Sequence, residues 1–266
     1  LAPIPYTVSV GNITKLPSLS IWVAFFMIFG VFFLFIRCFI KSINSILYFL
    51  NTLVVHMGKI ISFSNQKGGS GKTTLAANLC VLWANSGYKV AIIDADTQKS
   101  LTYWHDARKK YYGDNETGVD IYPYVSETII EDVKSIKRKY DFVIIDSPPS
   151  ITYDTIQIVR SVDRVFTPVQ PSPIDLLATI PFLNLVTKER KKAIIILNRV
   201  LPRARLTDAM SMRLRYSGAR IARSRISSKV IFAETFSVGR GVVDISVTSD
   251  ASREIMNVGN EIIRNL

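Results

Sequence analysis

The sequence predicts an α/β protein in which a mostly parallel, twisted sheet carries helices on both faces. Short apolar runs of strand length alternate with amphipathic segments of helix length. A glycine-rich loop joins the first such run to the first helical segment, and two later runs end in the aspartates Asp94 and Asp146. In a parallel sheet the carboxyl ends of the strands form the ligand crevice, so the site is expected there.

The glycine-rich loop is Lys67-Gly68-Gly69-Ser70-Gly71-Lys72-Thr73-Thr74, between the apolar run Lys59–Ser64 and the helical segment Leu75–Trp83. Its glycines let backbone N–H groups converge on phosphate oxygens at the positive end of the helix. The Lys72 ammonium would contact the outer phosphates, and the Thr73 hydroxyl would contact Mg²⁺. The expected cofactor-binding residues of the loop are Gly68, Gly69, Ser70, Gly71, Lys72, Thr73 and Thr74.

Two further strands end in carboxylates. The run Tyr88–Asp94 leads into Asp94-Ala95-Asp96-Thr97-Gln98, and the run Tyr140–Asp146 leads into Ser147-Pro148-Pro149. Four apolar residues followed by Asp146 are typical of the strand whose aspartate holds Mg²⁺ beside a phosphate-binding loop. Asp94 and Asp96 are expected in the ligand crevice, because they lie at the carboxyl end of a predicted parallel strand. The alternative interpretation is a solvated loop that happens to contain two acidic residues.

The remaining elements follow from apolar periodicity. Further strands are predicted at Val119–Tyr124, Arg164–Val169 and Lys192–Arg199, and a last one after residue 216. Further helices are predicted at Leu101–Tyr111, Glu127–Lys139, Asp175–Arg190, Leu206–Tyr216 and Ala251–Leu266. His105 is predicted to be a surface or packing residue, because no second His or Cys lies at a metal-binding spacing.

The loop departs from the usual spacing, since Gln66 stands where a glycine is expected and Lys67 adds a second lysine. This pattern resembles the deviant Walker A motif of the ParA/MinD family of P-loop ATPases. The resemblance extends over residues 57–266 and is closest to the short ParA-type partition ATPases. Its motifs are Lys59–Thr74, Asp94–Gln98, Asp141–Pro149 and Pro168–Asp175.

The resemblance implies a Mg²⁺-dependent ATPase whose cofactors are ATP and Mg²⁺ and which forms a homodimer on ATP. Its catalytic residues would be Lys67, Lys72 and Asp96. Lys67 would reach the phosphates of the partner subunit, and Asp96 would orient the attacking water. Thr97 stands where the family usually has proline.

The same resemblance implies the metal and base contacts. Thr73, Asp94 and Asp146 would lie at the metal, and Asn198 would lie beside the adenine ring. An asparagine that merely ends a strand in a turn is the alternative for Asn198.

The chain is strongly basic, with a formal net charge of +12 and a pI of about 9.7. This balance favours an anionic partner such as nucleic acid or a membrane surface. Cations concentrate in the last third, where the candidate DNA-binding residues are Arg203, Arg205, Arg213, Arg215, Arg220, Arg223, Arg225 and Lys229. We expect non-specific DNA binding through phosphates, with a solvated basic face or an acidic partner as alternatives.

Residues 1–56 form an apolar leader without Asp or Glu. The apolar run Ile21–Ile36, together with Leu19 and Ser20, approaches the ~18–20 residues of a membrane-spanning helix, and Arg37 and Lys41 follow it. A transmembrane segment is therefore possible at about residues 19–40. Alternatively the leader is upstream translation absent from the working protein, because Met57 directly precedes the first strand. The sequence favours this second interpretation, with an ATPase domain at residues 57–266; membrane association requires the leader.

The resemblance therefore predicts a cytoplasmic, nucleoid-associated partition ATPase that segregates plasmid or chromosomal DNA with a centromere-binding protein of the ParB or ParG type. A membrane-cycling regulator of the MinD kind is one alternative, but the last helix lacks the basic face that a membrane-binding tail needs. An inactive or membrane-anchored nucleotide-binding scaffold is another. The only cysteines are Cys38 and Cys80, so the cluster ligands of an iron–sulfur reductase are missing after Asp146.

Overall fold

The computed structural model describes residues 58–113, 117–201 and 220–266. Within them, seven parallel strands form one sheet in the order β3-β2-β4-β1-β5-β6-β7. The strands are β1 Lys59–Phe63, β2 Val90–Asp94, β3 Val119–Tyr122, β4 Phe142–Asp146, β5 Arg164–Val169, β6 Ala193–Val200 and β7 Arg220–Ser227. The prediction of a parallel sheet is confirmed.

Helices cover both faces of this sheet, as predicted. They are α1 Lys72–Asn85, α2 Ser100–Tyr112, α3 Ile129–Ile136, α4 Tyr153–Ser161, α5 Pro173–Lys188, α6 Ile231–Ser237 and α7 Asp250–Ile263. Helices α1, α2, α6 and α7 contribute to one apolar core, and α3, α4 and α5 contribute to the other. The predicted helix Leu206–Tyr216 lies outside the described residues.

The central strands β2 and β4 are apolar up to their terminal aspartates because both faces of each strand are buried. Every residue of β2 and β4 is buried, and β1 is buried after Lys59. This is the pattern expected of a parallel sheet covered on both sides. It also explains why these strands and their terminal aspartates were predictable from the sequence.

The last helix docks on the sheet, as predicted. Glu261 accepts hydrogen bonds from the backbone N–H groups of Arg223 and Ser224 at 2.7 and 2.8 Å. Glu254 accepts one from the N–H of Ser227 at 2.9 Å. Helix α7 therefore satisfies N–H groups that the edge strand β7 would otherwise leave open to pairing with another chain.

No helix within residues 58–113, 117–201 and 220–266 combines the length and the apolar character needed to cross a bilayer. The predicted spanning stretch at residues 19–40 lies outside the described residues.

Candidate nucleotide site

The glycine-rich loop connects β1 to α1 at the carboxyl end of the sheet. Gly71 is the residue before the helix and has a φ of 98°, a left-handed conformation that favours glycine. Asn198, at the end of β6, donates from Nδ2 to the carbonyl oxygen of Ser70 at 2.7 Å. A Cβ on Gly71 would lie 2.0 Å from that Nδ2. The loop thus passes so close to Asn198 that only glycine fits at position 71.

Two predicted metal-site residues meet at this loop. The Thr73 hydroxyl donates to Oδ2 of Asp146 at 2.6 Å, which joins the start of α1 to the end of β4. The other carboxylate oxygen of Asp146, Oδ1, is buried and has no hydrogen-bond partner among the residues that the structure describes. Burial raises the pKa of Asp146 to about 7. A buried carboxylate with a free oxygen beside a hydroxyl is a donor set that suits Mg²⁺.

Few protein ligands are expected at such a site. Mg²⁺ in nucleotide sites takes one or two protein oxygens and completes its shell with phosphates and water. No cluster of three or more His, Cys, Asp or Glu side chains suited to a metal occurs in the described part of the chain. The Thr73–Asp146 pair fits Mg²⁺ held together with a nucleotide.

Lys72 supplies a buried positive charge at the glycine-rich loop. Its side chain is buried, and Nζ donates to the carbonyl oxygen of Lys67 at 3.4 Å. Burial lowers the pKa of Lys72, and the negative charges of Asp146 and Asp96 oppose that shift. The structure thus brings Lys72, Asp96 and Asp146 into one electrostatic cluster from three neighbouring strand ends.

The pKa of Asp146 yields a stability prediction. A folded-state pKa above the unfolded value of 3.8 means that the folded state binds more protons, so stability falls as pH rises from about 4 to 7. Asp146→Asn removes the buried charge, and we expect it to raise the unfolding free energy of the nucleotide-free protein at pH 8 by on the order of 1–3 kcal/mol. The gain should disappear at pH 4. Denaturant unfolding at both pH values measures it, and a loss of stability at pH 8 would contradict it.

The second acidic loop follows β2. Asp96 is buried, and its Oδ1 accepts from the backbone N–H of Gln98 at 3.0 Å. Asp94 is more fully engaged: Oδ1 accepts from the N–H of Asp96, and Oδ2 accepts from both the N–H and the hydroxyl of Thr102. The expected role of Asp94 at the metal stays a prediction, whereas its observed contacts tie the loop to α2.

Among the described residues, the Lys67 ammonium forms an ion pair with helix α5 and not with a residue of the glycine-rich loop. Its Nζ lies 3.8 Å from Oδ1 of Asp175 in the first turn of α5, and 40 % of its side chain is exposed. Ser172 caps α5: its hydroxyl accepts from the N–H of Asp175 and donates to the Asp175 carboxylate. The contact between Lys67 and Asp175 was not predictable from the sequence, because the two residues meet only where β1 and β5 lie side by side.

A cavity adjoins the loop on the side of Asn198. It has a volume of about 280 Å³, close to the ~300 Å³ at which ligand pockets begin. Its walls include Thr74, Asn198, Lys229, Phe232 and Phe236. The position of Asn198 between the loop and this cavity is compatible with the predicted base contact, although its Nδ2 is engaged by Ser70.

The candidate DNA-binding residues separate into two groups. Arg203, Arg205, Arg213 and Arg215 lie outside the described residues. Arg220, Arg223 and Arg225 are exposed along β7. Lys229 lies 2.7 Å from Glu254, and this ion pair reduces the positive charge that Lys229 offers to a phosphate.

His105 is a packing residue. It is buried on α2, and its Nε2 lies 2.8 Å from the carbonyl oxygen of Val119. Burial lowers its pKa. This contact pins α2 against β3.

A parallel sheet with a glycine-rich loop between β1 and α1, and aspartates at the ends of β2 and β4, defines a P-loop nucleotide-binding protein. The sequence profile of the CobQ/CobB/MinD/ParA nucleotide binding domain matches residues 61–240. The chain belongs to this family, which confirms the ParA/MinD resemblance.

Individual relatives agree with this assignment. Maintenance of carboxysome distribution protein A from Halothiobacillus neapolitanus is 28 % identical over 212 residues, covering 76 % of this chain and 95 % of the relative. Sporulation initiation inhibitor protein Soj from Bacillus subtilis is 30 % identical over 149 residues, covering 43 % of this chain and 59 % of the relative.

Solved structures share the fold. The cell division ATPase MinD from Pyrococcus furiosus superposes with a TM-score of 0.67 at 21 % identity, covering 79 % of this chain and 100 % of that one. The septum site-determining protein MinD from Pyrococcus horikoshii, complexed with Mg-ADP, gives 0.65 at 22 % identity, covering 77 % of this chain and 96 % of that one.

Proposed function

We propose that the protein is a Mg²⁺-dependent ATPase that dimerises on ATP and positions a cargo on DNA. The observation that carries this proposal is the convergence of Lys72, Asp96 and the Thr73–Asp146 pair on one glycine-rich loop. Family membership and the Mg-ADP complex of a structural relative support ATP and Mg²⁺ as the cofactors.

Each residue has a defined task in this proposal. The loop N–H groups and Lys72 bind the phosphates, and Thr73 and Asp146 hold the metal, which would neutralise phosphate charge. Asp96 orients the attacking water. Thr74 and Asn198 line the cavity of about 280 Å³ beside the loop, and this cavity would bind the nucleoside.

Lys67 acts between subunits. Its ammonium is partly exposed and held loosely by Asp175 at 3.8 Å, so a competing phosphate could displace it at little cost. In the dimer it contacts the phosphates of the partner subunit and offsets the charge that develops during hydrolysis. ATP then closes the dimer, and hydrolysis opens it.

The cargo is proposed to be plasmid or chromosomal DNA, carried with a centromere-binding protein of the ParB or ParG type. The similarity to Soj, and to a chromosome partitioning protein ParA from Caulobacter vibrioides, supports this choice. The 95 % coverage of a carboxysome distribution protein favours a second candidate, in which a protein body is the cargo. Both candidates use the same ATP cycle and the same DNA surface. We place the protein in the cytoplasm, associated with the nucleoid.

The test measures ATP hydrolysis by the full chain with and without duplex DNA, together with the mass of the particle in sedimentation with a non-hydrolysable ATP analogue. Dimers with the analogue, monomers with ADP, and hydrolysis stimulated by DNA are expected. A protein that stays monomeric with the analogue and does not hydrolyse ATP would be a nucleotide-binding scaffold, and the proposal would be wrong.

The DNA surface has its own prediction. Arg223 and Arg225 are two residues apart on an exposed stretch of β7 and therefore project to the same side. The double substitution Arg223→Glu and Arg225→Glu should lower the affinity of the ATP-bound protein for duplex DNA about tenfold or more at low salt. Fluorescence anisotropy measures the change and its salt slope.

The matched control is Arg138→Glu with Lys139→Glu, an equal change of charge at exposed residues after α3. It should weaken binding far less, because Arg138 and Lys139 lie between α3 and β4, and the strands β1, β5 and β6 separate β4 from β7 in the sheet. Equal losses in both double variants would mean that net charge alone controls binding, and β7 would not be the contact surface.

A further inference from the structure

Helix α2 begins without a cap of its own. Lys99 is the residue before the helix, and its side chain makes no capping bond because an ammonium has no acceptor. The N–H groups of a first helical turn lack partners within the helix and must find an acceptor elsewhere.

Asp94, eight residues before Thr102, supplies that acceptor. Its Oδ2 accepts from the N–H of Thr102 at 2.8 Å and from the Thr102 hydroxyl at 2.8 Å. Its Oδ1 accepts from the N–H of Asp96 at 3.2 Å. One buried carboxylate therefore joins the helix to the backbone of the residue expected to orient water.

Lys99 closes the same loop from the other side. Its N–H donates to the carbonyl oxygen of Asp96, and its Nζ donates to the carbonyl oxygen of Asp94, both at 3.0 Å. Its φ of 54° is unusual for a residue with a side chain. Hydrogen bonds between the two ends of the segment Asp94–Lys99 thus fix the conformation of this loop. The loop backbone and the hydrogen bond from the N–H of Gln98 together orient the Asp96 carboxylate.

We propose that Thr102 is a positioning residue for ATP hydrolysis: through Asp94 it holds the loop that presents Asp96 to the attacking water. This inference rests on the proposed ATPase function. Thr102 contacts no phosphate-loop residue in the observed hydrogen bonds, so its influence on the reaction passes through Asp94. Catalysis is sensitive to such placement, because small displacements of a catalytic group cost large factors in rate.

The test compares Thr102→Val with Thr102→Ser in the full chain. Valine keeps the shape and the backbone N–H but loses the hydroxyl bond to a charged acceptor. We expect kcat to fall about tenfold. KM and the affinity for a non-hydrolysable ATP analogue should change by less than about twofold. Serine retains the hydroxyl and should restore kcat. Thr187→Val, at an exposed threonine of α5 whose hydroxyl also makes one bond, is the matched control.

A second readout does not depend on hydrolysis. Hydrogen exchange of a peptide covering residues 95–101, without nucleotide, should be faster in Thr102→Val than in the wild type, Thr102→Ser or Thr187→Val. If the wild type does not hydrolyse ATP, the ATPase proposal fails, and this exchange measurement alone decides whether Thr102 orders the loop.

Two results would overturn the inference. The first is unchanged kcat and unchanged exchange in Thr102→Val. The second is a parallel loss of kcat, nucleotide affinity and thermal stability that serine does not restore, since that pattern would mark a general structural role of the helix.

Discussion

Lys67→Ala is expected to lower the hydrolysis rate by ~10³-fold, the scale of an arginine finger supplied in trans, while nucleotide binding changes little. The Lys67 ammonium lies at Asp175 and away from its own cradle, where Lys72 provides the buried charge. Without the Lys67 ammonium, a subunit should therefore still bind its own nucleotide. The partner subunit should lose the positive charge that stabilises the transition state of hydrolysis. Single-turnover hydrolysis and the affinity for a fluorescent nucleotide separate the two effects.

The control for this experiment is Lys89→Ala. Lys89 is an exposed lysine just before β2, at the amino end of the sheet and away from the loop. It should hydrolyse ATP as the wild type does. If Lys67→Ala kept a rate near the wild-type value, Lys67 would have no role between subunits, although the nucleotide site itself could still be correct.

Gly71→Ala is expected to lower nucleotide affinity by about 100-fold, from the cost of a left-handed non-glycine residue and of a broken hydrogen bond. The new Cβ would lie 2.0 Å from Nδ2 of Asn198, and φ is 98°. The loop or Asn198 must move, and the bond from Asn198 to Ser70 is lost in either case. Calorimetric titration with ATP and Mg²⁺ measures the change.

Gly68→Ala is the matched substitution in the same loop. A Cβ at Gly68 would meet no atom of the described residues within 4 Å, and the φ of Gly68 is not in the left-handed region. The affinity should stay within a few-fold of the wild type. An equal loss of nucleotide affinity in the two variants would contradict this account. It would mean that any side chain in the loop blocks phosphate binding, independently of the contact with Asn198.

Sequence reasoning predicted most of the sheet because its strands are locally distinctive. Strands β2 and β4 are short and apolar up to a terminal aspartate, and the glycine-rich loop has a spacing that few other structures need. Helices α4 and α6 were not predicted. They have nine and seven residues, too few turns for an apolar period to emerge.

The site was predictable only in part. Thr73, Asp96 and Asp146 follow from motifs, and the structure gathers them at adjacent strand ends. Asp175 ends the motif Pro168–Asp175, but neither its contact with Lys67 nor the contact of Thr102 with Asp94 had a signal in the sequence. Their roles depend on which strand and loop lie beside them.

The sequence by itself determined the class of protein, the phosphate loop, and the order along the chain of the strands and of the longer helices. These features rest on spacings within a few residues, where the side-chain pattern and the backbone preference coincide. The tertiary structure decided the sheet order that sets β1 between β4 and β5 and so places Lys67 against Asp175, 108 residues away. Strand neighbours are selected by burial and hydrogen bonding across the whole sheet, and no local stretch of sequence contains that information.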